Sequence, residues 1–260
     1  MIMNRRVENL LNYLYLARTF RNSGQLIRAY RSGPPCETAV MWNGTQLRHP
    51  AGRGGLVGTI LELWKDQCYT PRGFYTPQPG DWIVDAGAHV GLFSLFMARQ
   101  QPACHILALE PFAENYACLL RNVEAARATQ VTPLPLALGG RCGHATMQPV
   151  GERSIDHLLQ SESTAEGQQV EVASLDDIRE RIPSGKIAFL KLDVEGAEYD
   201  AFESVTQETL DNISRIAMEY HDNLRPGTLR LIQDRLAATH TLEVHPTWNR
   251  GYGILLARHR

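Results

Sequence analysis

The chain reads as an α/β fold built on an open, mostly parallel sheet with helices on both faces, and three stretches predict it. Trp82-Ile83-Val84 is a continuous apolar run of the kind a strand buried on both faces needs, entered through the turn Pro79-Gly80-Asp81. Across Asp85-Ala86-Gly87-Ala88-His89-Val90-Gly91 the pattern changes to helical spacing over 92–100, with Phe93, Phe96 and Met97 on one side. Residues 187–198 repeat that logic: an apolar strand ends in Asp193, a turn follows at Gly196, and Glu198 opens a helix. Such strand-turn-helix units place a ligand at the carboxyl ends of the strands.

In order along the chain, residues 1–35 form a basic amphipathic helical extension. Arg5, Arg6, Arg18, Arg21, Arg28 and Arg31 stand against Glu8, and Val7, Leu10, Leu11 and Leu14 recur at helical spacing. Two readings stay open: an appendage that packs on the domain, or a basic surface for a membrane or partner. The apolar run 13–17 is too short for a signal peptide or a membrane span, and Ser32-Gly33-Pro34-Pro35 is a linker. Residues 36–260 form a single domain, with a cap segment over 36–78 and the sheet core over 79–260. In the cap, 39–42 and 46–48 read as a hairpin around Asn43-Gly44. Residues 58–66 read as a helix leading to Tyr69, which could lie across the mouth of the site or serve, like Phe74, in packing.

In the core, 105–109 is a second strand followed by Glu110-Pro111, and 131–138 a third that ends at Gly139-Gly140. An irregular excursion, a mobile hairpin in this reading, covers 141–169 with Gly143, Gly151 and Ser161-Glu162-Ser163. A strand over 170–173 precedes a helix capped by Ser174. Residues 213–219 are a strand with Tyr220-His221-Asp222 at its end, followed by a helix over 228–238 and an antiparallel pair, 241–244 with 253–257.

Length and composition fit one such domain: 260 residues, 43% of them apolar. With 26 basic against 28 acidic residues and a formal charge of −2, there is no nucleic-acid footprint. Five cysteines without a C-x-x-C pair suggest neither zinc nor a disulfide framework, and point to a reducing cytoplasm. The sequence leaves the oligomeric state open, a homodimer included.

The ligand follows from the first turn. A dinucleotide fingerprint would be G-x-G-x-x-G, but here an acid, Asp85, precedes Gly87-Ala88-His89 where the first glycine should stand. A pyrophosphate would meet that carboxylate; S-adenosylmethionine, carrying an ammonium and a sulfonium, would be attracted to it. Glu110 lies 19 residues after Gly91, where an acid accepts hydrogen bonds from ribose hydroxyls, although a helix N-cap acid is the other reading. Backbone and apolar side chains at the end of the third strand, Ala137 and Leu138, would frame an adenine. Methyl transfer to a hydroxyl needs a base. His221, or a carboxylate of Asp193 or Glu195, stands at the right edge, and an imidazole of ordinary pKa accepts a proton near neutrality. In a Mg²⁺ variant, Asp193, Glu195 and Glu219 would hold the ion. A nicotinamide oxidoreductase would share the sheet and Glu110 but needs the missing glycine pattern. A non-catalytic cofactor-binding protein would need no acids and histidine at the second edge.

Taken together, V-D-A-G-A-H-V-G-L-F-S-L, L-E-P-F-A-E-N-Y, V-A-S-L-D-D, L-K-L-D-V-E-G-A-E and A-M-E-Y-H resemble the FkbM family of S-adenosylmethionine-dependent methyltransferases, over about 63–258. The resemblance implies a seven-stranded, Rossmann-like class I methyltransferase sheet and O-methylation of a sugar, glycan or natural-product hydroxyl. It implies that Asp85, Gly87, Ala88 and Gly91 cradle the methionine part, Glu110 the ribose, and that Asp193, Glu195 and His221 face the methyl. Members commonly carry asparagine where this chain has His89.

Overall fold

The computed structural model describes residues 5–149, 157–160, 167–247 and 251–260. The N-terminal extension is two helices, Arg5–Thr19 (α1) and Ser23–Arg31 (α2). They are docked by Leu16, Phe20 and Leu26, which are buried in one core cluster with Trp64, Ile83 and Phe93. The extension thus packs on the domain, but with the face opposite to the expected one: Val7, Leu10, Leu11 and Leu14 point outward. Helical spacing marks an apolar stripe; it does not say which stripe finds a partner.

The cap begins with a hairpin, Thr38–Val40 (β1) and Gln46–Arg48 (β2), closed by a turn in which Gly44 has φ +89°. Leu56–Ile60 (α3) then runs into a π-helical turn, Leu61–Lys65, closed by Asp66 N–H donating to the Leu61 carbonyl at 2.8 Å. Turns of this kind change which residues face a neighbour, and they recur at functional sites.

The core proceeds through Trp82–Ala86 (β3), Leu92–Gln100 (α4), His105–Leu109 (β4), Ala113–Ala126 (α5), Val131–Leu134 (β5) and Leu136–Leu138 (β6). The single strand expected over 131–138 is therefore two. β5 is an edge strand that tolerates Pro133 in its pairing with β4; after Leu134 the chain crosses a second proline, Pro135, and leaves the main sheet, and β6 joins a second sheet. That sheet, in the order β6-β9-β7-β8, adds Gly143–Pro149 (β7), His157–Gln160 (β8) and Gln168–Ala173 (β9). The stretch expected to be irregular thus contains a strand pair, while Gly151 and Ser161-Glu162-Ser163 lie outside the described residues. Leu175–Glu180 (α6) starts at Ser174, whose hydroxyl accepts from Asp177 N–H while the Asp177 carboxylate accepts from Ser174 N–H.

Phe189–Leu192 (β10), Glu198–Ser204 (α7), Gln207–Asp211 (α8), Arg215–His221 (β11), Thr228–Leu236 (α9), His240–Pro246 (β12) and Tyr252–His259 (β13) complete the chain. The main sheet has seven strands in the order β12-β13-β11-β10-β3-β4-β5, with β13 alone antiparallel to its neighbours β11 and β12. Successive strand residues divide between two cores. Ile83, Phe189 and Ala217 face the side of α1–α5, whereas Val84, Leu190, Ile216 and Met218 face Phe202 and Ile232. Both faces are covered, which is why these strands are apolar apart from a few residues such as Asp85 and Lys191. Strand order reverses between β3 and β10, so the crevice for a ligand opens where those two strands end.

Candidate functional site

Two turns meet at that crevice. In the parallel pairing of β3 with β10, Asp85 lies opposite Lys191 and Ala86 opposite Leu192, which sets Asp193 beside Gly87. The approach is so close that a Cβ on Gly87 would stand 1.8 Å from the Asp193 carbonyl oxygen. Each turn also holds one non-glycine residue in the left-handed region, His89 at φ +52° and Glu195 at φ +50°. Strain of this sort persists where the surroundings fix it, and it concentrates at sites.

Asp85 does not reach the crevice. It is fully buried, accepts from Ser94 Oγ at 2.7 Å, and lies 3.4 Å from Lys191 Nζ. Lys191 in turn donates to the Gly87 carbonyl at 2.7 Å. The expected attraction of Asp85 for a cationic ligand is replaced by an internal ion pair that holds the turn from below. Burial works against the Lys191 charge, but Asp85 and Asp193 outweigh it and hold its pKa above the ordinary value. Gly91 is likewise elsewhere. Its missing Cβ makes room for Leu119 Cδ1, at 2.5 Å from where that Cβ would lie, so it serves the packing of α4 on α5. Gly140 plays the same part against the Asp200 carbonyl of α7, and neither Gly139 nor Gly140 lines a cavity at the crevice.

Two cavities open at the crevice and share Gly87, His89, Asp193 and Glu195. The first is lined by Glu110, Pro111, Leu136, Ala137, Leu138 and, from β7, Met147. Glu110 is buried and accepts from the backbone N–H of His89 at 2.8 Å and of Phe112 at 3.0 Å, which rules out an exposed cap acid. Burial raises its pKa to about 7 against the pull of those bonds. The second cavity, of about 360 Å³, lies on the other side of the turn. Its walls are Thr59, Glu62 and Leu63 from α3 and the π turn, Tyr69, Ala88, and Glu219 and His221 from β11. Tyr69 is buried and donates its hydroxyl to Asp193 Oδ2 at 2.9 Å, with Lys191 Nζ 5.3 Å from its ring centre.

His221 is held at both ring nitrogens. Nδ1 lies 3.0 Å from Glu198 Oε1, and Nε2 lies 3.5 Å from Glu195 Oε2. Glu198 is fully buried and also accepts from the N–H groups of Val194 at 3.2 Å and Gly196 at 3.0 Å. One carboxylate thereby shapes the D-V-E-G turn and aims the imidazole. Burial opposes charge on His221, but the hydrogen bond and charge of Glu198, with Asp193 and Glu195, raise its pKa to about 9. Its ordinary value near 6.5, on which the expectation of a ready base rests, does not hold in this fold. Burial first, and then the charge of Asp193, raise Glu195 to about 8 and Glu219 to about 7.

For a cation, the donor atoms that gather within 4.8 Å among the described residues belong to Asp193, Glu219 and His221, with the imidazole in place of the expected Glu195. Asp193 Oδ2 already receives Tyr69 and stands 3.8 Å from the Lys191 ammonium, which competes for that oxygen.

Sequence reasoning missed Lys191, and it grouped Glu198 with Asp193 and Glu195 as the acids around one glycine without linking it to His221. A lone lysine between Leu190 and Leu192 in a buried strand was itself a signal, since such a charge is buried only with a partner. Met147 had no signal, because its place depends on a strand pairing remote in sequence.

A seven-stranded sheet with one antiparallel strand near its edge and a split crevice at its reversal point is the arrangement of a class I, Rossmann-like methyltransferase. The chain belongs to the FkbM methyltransferase family: residues 85–249 match the "Methyltransferase FkbM domain". It is 30% identical to Methyltransferase sdnD of Sordaria araneosa over 207 residues, covering 67% of this chain and 79% of that protein. It is 25% identical to 31-O-demethyl-FK506 methyltransferase FkbM of Streptomyces tacrolimicus over 215 residues, covering 72% of this chain and 82% of that one. Among solved structures, SMU.1697c of Streptococcus mutans in complex with SAH is similar over 77% of this chain and 97% of that chain, at 10% identity and a TM-score of 0.48. S-adenosylmethionine is the methyl donor of this class, and the residues present fit it. They form an apolar slot beside the buried Glu110 carboxylate, next to an acidic cavity.

Proposed function

We propose that the protein is an S-adenosylmethionine-dependent O-methyltransferase acting on a hydroxyl of a sugar, glycan or natural product. The observation that carries this reading is the pair of cavities meeting at Gly87 and Asp193, one apolar with Glu110, the other acidic with His221. The O-methylation named for the Streptomyces tacrolimicus relative supports the same acceptor atom. Bound S-adenosylmethionine supplies the methyl: the acceptor oxygen takes it as the carbon–sulfur bond breaks and sulfur keeps the electron pair.

The chain's part is to orient and to deprotonate. Glu110 would hold the ribose hydroxyls, with Pro111, Ala137 and Leu138 against the adenine, while Gly87, Ala88 and His89 border the methionine part. His221, aimed by Glu198, takes the hydroxyl proton on Nε2 when neutral, and Glu195 stabilises the imidazolium that results. Holding the reactants in line is worth up to about 7 to 11 kcal/mol. The second cavity is walled by Glu62, Asp193, Glu195 and Glu219, and its two basic groups, Lys191 and His221, are already paired with carboxylates. An acceptor there is neutral or cationic, because a phosphate or carboxylate beside the reacting hydroxyl would find its possible cationic partners, Lys191 and His221, already taken by carboxylates.

The test is calorimetric titration with S-adenosylmethionine and, in parallel, NADH, followed by methyl transfer to neutral and anionic hydroxyl compounds. Binding of the methyl donor, weakened by Glu110→Ala, with transfer to neutral acceptors only, is expected. Binding of NADH alone would replace this reading with an oxidoreductase, and donor binding without transfer to any acceptor class with a non-catalytic protein.

A further inference from the structure

Of the seven large apolar side chains exposed among the described residues, five stand on one patch: Val7, Leu10, Leu11, Leu14 and Trp42, each between 43% and 63% exposed. The first four recur every third or fourth residue and so form one stripe along α1, a helix about 22 Å long. Trp42 joins them from the β1–β2 turn, its indole N–H donating to the Ala17 carbonyl at 3.3 Å, at the end of the same helix. The stripe is not a face awaiting the domain core. Asn12 and Leu16, on the opposite side of α1, are already buried, and Phe20 stacks on Trp64 at 6.2 Å. The helix is held firmly with its apolar side outward.

The charge around it selects the partner. Residues 5–31 hold six arginines and one glutamate, a net +5 in a chain whose total is −2. Arg6 lies one turn before Leu10, and Arg18 continues the stripe one turn beyond Leu14; both are exposed. Two copies meeting face to face through this stripe would bring Arg6 and Arg18 of one against those of the other, so self-association is opposed. A helix lying flat, with leucines toward an apolar layer, arginines at its rim and a tryptophan at one end, matches an anionic phospholipid surface. We propose that α1 and Trp42 dock this protein on anionic membrane surfaces. The surface is tied to the site, because Phe20 packs on Trp64 of the π turn whose Glu62 and Leu63 wall the acceptor cavity. Among the described residues no helix is long and apolar enough to cross a membrane, so contact would be peripheral.

The full chain is tested by co-sedimentation with vesicles of phosphatidylcholine alone and of phosphatidylcholine with phosphatidylserine. Binding to the anionic vesicles only, weakening with added salt, is expected. Leu10→Glu with Leu14→Glu abolishes it without lowering the thermal midpoint, since both side chains are exposed. Each of Arg6→Gln and Arg18→Gln lowers the partition coefficient by about fivefold. Failure of the parent protein to bind anionic vesicles would overturn the proposal, as would equal binding of the Leu10→Glu, Leu14→Glu variant. So would a dimer in light scattering that this variant splits, which would assign the stripe to a second copy.

Discussion

Two glycines in the first turn separate what a missing Cβ can be for. Gly87→Ala drives the new methyl into the Asp193 carbonyl, a backbone atom that cannot yield without parting β3 from β10. A loss of about 3 kcal/mol or more in denaturant unfolding is expected. Gly91→Ala meets only the tip of Leu119 and a positive φ, and a cost of about 1 to 3 kcal/mol is expected. Equal losses would remove the distinction. Glu198 offers a test of the imidazole. Because its charge and hydrogen bond hold the His221 pKa up, near 9, Glu198→Gln lets that pKa fall. The active base is the neutral ring, so kcat/KM rises with pH through that pKa, and in Glu198→Gln the rising limb moves to lower pH while kcat falls about tenfold or more from lost aim. A limb centred near 7 that survives His221→Gln would give the base role to Glu219 instead. At this scale the sequence spelled out the acids and the histidine, but it could not say that Asp85 faces Lys191 instead of solvent. That depends on register between strands about a hundred residues apart in the chain.

The elements that make the crevice store a charge problem. Glu110, Glu195 and Glu219 titrate near 7, 8 and 7 in the folded protein against an ordinary 4.5, and His221 near 9 against 6.5. All four folded-state values lie above the unfolded ones, so the folded chain binds more protons over this range. Their contribution to stability is full at low pH and is lost as pH climbs through the folded values. The ligand-free protein therefore melts at a lower temperature at pH 9 than at pH 6, and a flat or rising midpoint in calorimetry would contradict the shifts. Strand and helix identities were legible here from period and punctuation, as in Trp82–Ala86 followed by Leu92–Gln100. The break at Pro135 was not legible from proline alone, because Pro133, equally without an N–H, sits inside the edge strand β5; nor was the second sheet that the chain then feeds.

For the whole molecule, the crevice is one acidic basin with an internal lysine. If catalysis rests on His221 and not on a cation held by Asp193, Glu219 and His221, exhaustive chelation leaves kcat unchanged. A loss restored by Mg²⁺ would install the metal in the mechanism. By itself the sequence determined the α/β class, the two strand-turn-helix units and the acids and histidine at their ends. These follow from local periodicity and from the few residues that can make such turns. Only the tertiary structure decided which of them share a cavity, because parallel pairing of β3 with β10 turns neighbours in space into partners that no spacing in the chain records. It also decided which side of α1 is wet. The buried side of that helix offers only Asn12 and Leu16, and it is turned inward because Phe20, just past the helix end, stacks on Trp64, leaving Val7, Leu10, Leu11 and Leu14 facing out.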